Sequence, residues 1–394
     1  MSEVSTEGPK LPFEKSEYEM RVKRVRERME EKEIDVMLVT SPTNIYYLTG
    51  YRSFSFYAPQ FLVVPLDRDL FLVNRSIDRP GARQNTWLEE DMIRPYGEEY
   101  VDHYVNYPEP KHPIDRLLDS LRSEGLARAR IGMELDDYYC RAFYYKRLAE
   151  ELSAARIEDG TQLVPRVYLE KSEREIEYMK EASRIVEKGM GVAVETIEQG
   201  VRGNEVAAEI LYRMVKNGGC TPSIPPLLQT TKAPHITWTD APIGQNTSVA
   251  VEIAGCKERY HSPICRTVIV AEEESPLVQE AREVFARGIE SHIKAIETVE
   301  PGIKAEEVAI EANKVFDERS SRIGYPVGLG FPPDWGERTA SFQLGDQTVL
   351  KPNMTFHTIS TMSEPCLMEF SETIRVTEDG AEVLAEFPRK LFVK

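Results

Sequence analysis

Residues 249–270 read VAVEIAGCKERYHSPICRTVIV, and the fold of the second half of the chain turns on them. Two apolar, β-rich runs, VAVEIAGC (249–256) and RTVIV (266–270), flank a turn, which predicts a pair of strands. One residue breaks the pattern. Glu252 stands inside the first run, where a carboxylate is costly unless it is paired. Two readings stand for it: half of a buried ion pair with Arg266 or Arg375, or a carboxylate kept for chemistry.

Upstream, Ser172 precedes Glu173-Arg174-Glu175, an N-cap with acidic residues in the first turn, which predicts a helix running to Thr196. A second helix is expected over 203–217, closed by Gly218-Gly219. Downstream, helices over 275–298 and 305–320 lead to the strand-like runs MTFHTIS (354–360), CLMEFSETIRVT (366–377) and AEVLAEF (381–387). The first half alternates helix and strand signals. A helix over 14–32 carries Tyr18, Val22, Val25 and Met29 at helical spacing, a strand follows at 36–40, and NIYYLTGY (44–51) ends at a glycine turn. FLVVPL (61–66) and DLFLVN (69–74) read as a hairpin across Asp67-Arg68, before a helix at 112–124, a strand at 131–134 and a helix at 138–152. The whole reads as an α/β chain of the α+β type with two domains, 1–165 and 166–394.

Composition narrows the function. With 394 residues, 41% hydrophobic and 29% charged, the chain is an ordinary globular protein with room for two cores. Lys plus Arg total 49 and Asp plus Glu 66, a net charge of −17, which argues against nucleic acid or an anionic membrane as the main partner. No apolar run is long enough to span a bilayer, and the opening MSEVSTEGPKLPFEKSEYE has neither a basic nor an apolar leader region, so no secretory signal is expected. Five cysteines, an odd count with no CxxC spacing, predict free thiols in a reducing, cytoplasmic setting. HExxH, Gly-x-Ser-x-Gly, phosphate-cradling glycine loops and GxGxxG are all absent, which removes zincins, elbow-type serine hydrolases, P-loop enzymes and simple dinucleotide binders.

Three clusters carry chemistry. In the first, His235 lies beside Trp238 and Asp240. The second joins Glu252 to Tyr260, His261 and Arg266. The third is the loop-like stretch Gly324 to Glu337, with Tyr325, Asp334 and Trp335. Each has a plainer reading: His235 as a satisfied loop histidine, His261 as an exposed turn residue, the PPDWGE segment as a rigid proline turn. Glu369 and Glu372 are three apart in a strand-like run and so face opposite sides; at most one points into a given site.

The C-terminal half resembles the pita-bread family of creatinase, prolidase and methionine aminopeptidase. The carriers are KSEREIEYMKEASRI (171–185), PHITW (234–238), EIAG (252–255), CRTV (265–268), GYPVGLG (324–330) and SETIRVTEDGAEVL (371–384). The first half resembles the N-terminal domain of creatinase and prolidase. Peptidase members of the family hold two metal ions with two Asp, one His and two Glu. In this chain those positions read Glu252, Pro263, Tyr325, Ile359 or a neighbour, and Ser371, and the family's second histidine falls at Pro332. Proline and isoleucine side chains cannot ligate, so a metal-free site without cofactor is expected, as in creatinase. His235 matches the histidine that shuttles protons in creatinase. Within this metal-free branch the pieces APHITW, RYHSP, GYPVGLGFPPDWGERT, VLKPNMTFH, PRKLFVK, GYRSFSFY and DHYV resemble the ectoine hydrolases more than creatinase.

That resemblance implies a small cyclic amidine, or a related guanidine, as substrate and a homodimer as the working form. Its cationic amidinium suits Glu252, with Glu337 and Glu369 as further carboxylates and His235 moving protons; direct attack by water and a covalent carboxylate intermediate are both open. Tyr57, Trp238, His261, Tyr325, Asp334 and Trp335 are the expected substrate-binding residues, with Phe54 and Phe56 as further aromatics. Arg52, Arg266 and Arg338 are candidates for a substrate carboxylate, Arg266 leaning to a structural role. Three other readings compete: a creatinase-like guanidine hydrolase, a prolidase-type metallopeptidase and an inert pita-bread binding protein.

Overall fold

The computed structural model describes residues 11–97, 111–231, 235–316 and 322–394. The DHYV motif (102–105), residues 232–234 and the end of the helix expected over 305–320 lie outside them. The chain divides into two compact units, Met1–Tyr168 and Leu169–Lys394. No helix among the described residues is long and apolar enough to cross a membrane.

The first unit is built on a five-stranded sheet of β1 (Val36–Val39), β2 (Phe61–Pro65), β3 (Phe71–Val73), β4 (Arg130–Met133) and β5 (Arg156–Asp159), in the order β3-β2-β1-β4-β5. β2 and β3 form the expected antiparallel hairpin, and β4 lies parallel to β1. β1 is apolar at every position because it sits mid-sheet, buried on both faces. Helix Lys15–Glu31 buries Tyr18, Val22, Val25 and Met29. NIYYLT belongs to a helix, Pro42–Thr49, ended by Gly50 in the left-handed region at φ 80°.

The second unit carries an eight-stranded sheet. Its strands are β6 (Leu227–Gln229), β7 (Thr247–Lys257), β8 (Tyr260–Val270), β9 (Gly324–Pro326), β10 (Thr355–Met362), β11 (Met368–Thr377), β12 (Gly380–Val383) and β13 (Phe392–Val393). The order is β6-β7-β8-β11-β10-β9, with β12 on β11 and β13 parallel to β8. The turn between β7 and β8 is only Glu258-Arg259, both at positive φ, so β8 begins well before the expected Arg266. Pro263 stands mid-strand opposite Ala254, and its carbonyl accepts from the Thr373 hydroxyl at 2.8 Å.

Alternation sorts this sheet into two faces. The helices cover one face. Glu173–Thr196, started by a Ser172/Glu175 capping box, and Gly203–Lys216 pack Val186, Met190, Ile210 and Met214 against Val251, Ile253, Ile264 and Val268. Pro276–Thr298 and Ala305–Asn313 pack Ala295, Val308 and Ala309 near Phe356 and Ile374. Gly255 faces the first helix so closely that a Cβ there would lie 1.9 Å from the Ala182 carbonyl oxygen. Gly255→Ala is therefore expected to cost about 3 kcal/mol, read as a lower urea midpoint; an unchanged midpoint would contradict this approach.

The same covered face holds Arg266, buried among backbone oxygens. Its guanidinium donates to the carbonyls of Cys265 (2.9 Å), Ser371 (2.8 Å), Phe387 (2.9 Å) and Pro388 (2.9 Å) and pairs with Glu372 at 3.1 Å. Arg389 closes on the same carboxylate at 2.8 Å, and His292 stands 3.4 Å from it. PRKLFVK is thus the segment that laces the terminal strand onto β8, and Arg266 has a structural role.

Candidate active site

The opposite face of the sheet gathers the polar residues. Register places Glu252 beside Leu227 and Cys265, Cys265 beside Ser371, Ser371 beside Ile359, Glu369 beside Thr361, and Tyr325 beside His357. Glu252, Cys265, Ser371, Ile359, His357, Tyr325 and Glu369 therefore share this one face.

Two carboxylates dominate it. Glu369 accepts from the Gln229 amide at 2.8 Å, the Thr361 hydroxyl at 3.1 Å and the Cys265 thiol at 3.7 Å. Burial raises its pKa against those hydrogen bonds. Glu252 is pushed up to about 8, first by burial and then by the charge of Glu369. Neither cation proposed to pair with Glu252 does so: Arg266 is taken by Glu372, and Arg375 by Glu173 and Glu382. Glu372 itself lies on the helix-covered face, as alternation requires.

His235 joins the pair through Gln229. Its backbone N–H donates to the Gln229 amide oxygen at 2.7 Å, while the amide nitrogen of the same side chain reaches Glu369. His235 is exposed and adopts φ 53°, a tight left-handed turn. No signal in the sequence points to Gln229 as the bridge; it sits on β6, a three-residue strand too short to announce itself.

A second group on this face is His357 with Tyr325, Trp335 and Ser371. The residue that meets Tyr325 and Ser371 is His357, two positions before the expected Ile359. Its Nδ1 is 2.9 Å from the Tyr325 hydroxyl and its Nε2 2.7 Å from the Ser371 hydroxyl. Burial lowers its pKa to about 3, so the ring is neutral. Trp335 is buried and donates its indole N–H to the Tyr325 oxygen at 3.0 Å.

Several expected site residues are placed elsewhere. Glu337 is fully buried against Lys171 at 2.6 Å and accepts the Leu329 N–H at 3.2 Å, so it is half of an ion pair and not a free base. Both ring nitrogens of His261 are engaged, Nε2 by the Ser223 N–H at 3.0 Å and Nδ1 by the Gly328 carbonyl at 3.2 Å. Burial drives its pKa to about 3, so the ring is neutral, held between these two partners. Asp334 accepts from the Gly336 N–H at 2.8 Å in a local turn. Trp238 packs against the helix-side core. In the first unit Tyr57 is exposed, its hydroxyl 3.2 Å from Arg75, and Phe54 is exposed near Phe56.

The donor set does not suit a metal pair. Among the described residues no group of three or more His, Cys, Asp or Glu side chains is arranged to hold an ion. Ser371 and Tyr325 are each hydrogen-bonded to His357, and the carboxylates beside them are Glu252 and Glu369.

Comparison with known proteins agrees with this architecture. Residues 177–378 match metallopeptidase family M24, and residues 21–167 match the creatinase/prolidase N-terminal domain. The chain belongs to this pita-bread family of hydrolases. It is 38% identical to the ectoine hydrolase of Halomonas elongata over 98% of the chain and 99% of that protein. It is 24% identical to the creatinase of a Bacillus species over 97% of the chain and 93% of that enzyme. The crystal structure of the prolidase from Pyrococcus horikoshii superposes with a TM-score of 0.78 at 21% identity, over 95% of this chain and all of that one, which establishes the shared fold.

Proposed function

We propose that the protein opens the cyclic amidine ring of ectoine, giving N-acetyl-2,4-diaminobutyrate, without a metal ion. The observation that carries this reading is the half-buried pair Glu252 and Glu369, two carboxylates on one face with the pKa of Glu252 raised to about 8. Such a pair repels itself and is relieved by a cation; an amidinium, planar and carrying N–H donors, answers it with charge-assisted hydrogen bonds. The 38% identity to an ectoine hydrolase along nearly all of both chains supports the same substrate.

In this reading Glu252 grips the amidinium N–H, and Glu369, held in orientation by Gln229 and Thr361, shares its charge. His235, tied to the same Gln229, takes a proton from water as its oxygen bonds to the amidine carbon, then gives a proton to the ring nitrogen as the C–N bond breaks.

The test is turnover after chelation, with metal content measured on the same sample. Ectoine opening that survives chelation in metal-free protein is the expected result; stoichiometric metal together with dipeptide cleavage would overturn it. The pH dependence gives a second check. Glu252 must lose its proton before it can pair with a cation, so kcat/KM is expected to climb about tenfold per pH unit until about pH 8, then level. A profile flat from pH 6 to 8 would rule Glu252 out of that role.

A further inference from the structure

Two cysteines meet where the chain sets out toward β6. Helix Gly203–Lys216 is followed by the glycine turn 218–219, and Cys220 comes next. Its backbone N–H donates to the Cys256 carbonyl at 2.8 Å. Bond lengths alone then keep the two Cα atoms within about 6.7 Å, inside the ~4.4–6.8 Å that a disulfide spans. The side chains meet as well: the Cys256 thiol donates to the Cys220 sulfur. Both residues are held in place. Cys256 lies in the β7 ladder opposite His261. Just beyond Cys220, the Thr221 carbonyl and the Ser223 hydroxyl accept from the Arg259 guanidinium at 2.8 and 2.7 Å. Both thiols are free, and the mechanism above uses neither.

The two sulfurs differ in character. Cys220 is half-buried and open to a small solute, whereas Cys256 is buried. The hydrogen bond from Cys256, with one from the Glu258 backbone and the charge of Arg259, outweighs burial and brings the Cys220 thiol down to about 6. Burial raises the other four, Cys140, Cys256, Cys265 and Cys366. At neutral pH an attacking thiolate therefore stands beside a protonated resolving thiol.

We propose that Cys220 and Cys256 form a redox-modification site at which hydrogen peroxide drives a reversible disulfide. The Cys220 thiolate attacks one peroxide oxygen; the O–O bond breaks, and hydroxide takes up a proton and leaves as water. Cys220 is oxidised to a sulfenic acid and the peroxide is reduced. The Cys256 sulfur then attacks the Cys220 sulfur, its proton going to the departing oxygen. The S–S bond forms, the S–O bond breaks and a second water leaves. Two thiols and one peroxide thus give one disulfide and two waters. The bond closes a loop from 220 to 256 that contains Gln229, His235 and Glu252, the stretch that supplies much of the candidate site. The site is independent of the amidine reading.

Full-length protein, reduced, desalted and treated at pH 7 with hydrogen peroxide in modest excess, is expected to lose about 2 Da. Peptide mapping without reductant is expected to show one Cys220–Cys256 cross-link, reversed by dithiothreitol. Thiols that all stay reduced, sulfinic acid at Cys220 without the cross-link, or a cross-link between two copies of the chain would overturn the site. In Cys256→Ser the treatment is expected to stop at a sulfenic acid on Cys220, trapped by dimedone; in Cys220→Ser, Cys256 is expected to stay reduced. No dimedone adduct in the first variant, or oxidised Cys256 in the second, would overturn the order of attack. Iodoacetamide labelling of the untreated parent needs no variant: at pH 7 Cys220 is expected to react at least about tenfold faster than the other four cysteines, and labelling no faster than theirs would refute the assignment.

Discussion

Glu252→Gln is expected to lower kcat/KM for ectoine about a hundred- to a thousandfold while making the protein more stable at alkaline pH. The first effect follows from removing the charge that faces the amidinium. The second follows from linkage. The folded state raises the pKa of Glu252 to about 8, so it holds that proton more tightly than the unfolded chain does. Stability from this group is therefore full while it is protonated in both states, falls as pH rises from the ordinary carboxylate range, and is lost above about 8. Glutamine keeps the shape without the ionisation. Thermal melts at pH 5 and pH 9 are expected to show parent and variant nearly equal at the lower pH and the variant ahead by a few degrees (~2–4 °C per kcal/mol relieved) at the higher. Near-normal activity, or a variant less stable at pH 9, would sink the assignment.

The opposite behaviour is expected of Glu372, three residues from Glu369 on the same strand but on the other face. Its carboxylate takes Arg266 at 3.1 Å and Arg389 at 2.8 Å, with His292 at 3.4 Å. Burial alone would raise its pKa; the hydrogen bonds from His292 and Arg389, with the charge of Arg266, outweigh burial and hold it below the usual range. The stability it gives is present at neutral pH and lost as pH falls through that depressed pKa. Glu372→Ala strands a buried guanidinium and is expected to cost about 3–5 kcal/mol, seen as a large drop in the urea midpoint at pH 7. Glu369→Ala is expected to reduce turnover at least about tenfold with little change in midpoint, since Glu369 is held by neutral donors. If both variants lost stability alike, the division of the strand into a working face and a structural face would be wrong.

Much of this was readable in the sequence, for identifiable reasons. The β7–β8 pair announces itself through β-branched and apolar runs, and Glu252 stands out as the one carboxylate in its strand. The opposed faces of Glu369 and Glu372 follow from strand periodicity. What sequence conceals is the choice of partner. Glu337 looks as available as Glu369, yet a lysine 166 residues away takes it. His261 looks like a site histidine until Ser223 and Gly328 occupy its ring. Pro263 argues against a strand, so β8 reads as half its length; only the neighbours, Ala254 opposite it and the Thr373 hydroxyl on its carbonyl, reveal that it lies within one. Gln229 and the β13 segment are invisible for a simpler reason: strands of three and two residues carry no period to detect.

The hydrogen bonds that run from Trp335 through Tyr325 and His357 to Ser371 also bear on how freely this enzyme can change its chemistry. Installing a family-type ligand at 325, 357 or 371 alone removes a partner from a buried neighbour, at about 1–3 kcal/mol for each group left unsatisfied, before any ion has enough ligands to bind. Each single step is a loss, and the gain waits for the last. Interlocked hydrogen bonds of this kind work as a ratchet: one-at-a-time substitution toward a dinuclear metal site is disfavoured at every step until the whole set has changed together.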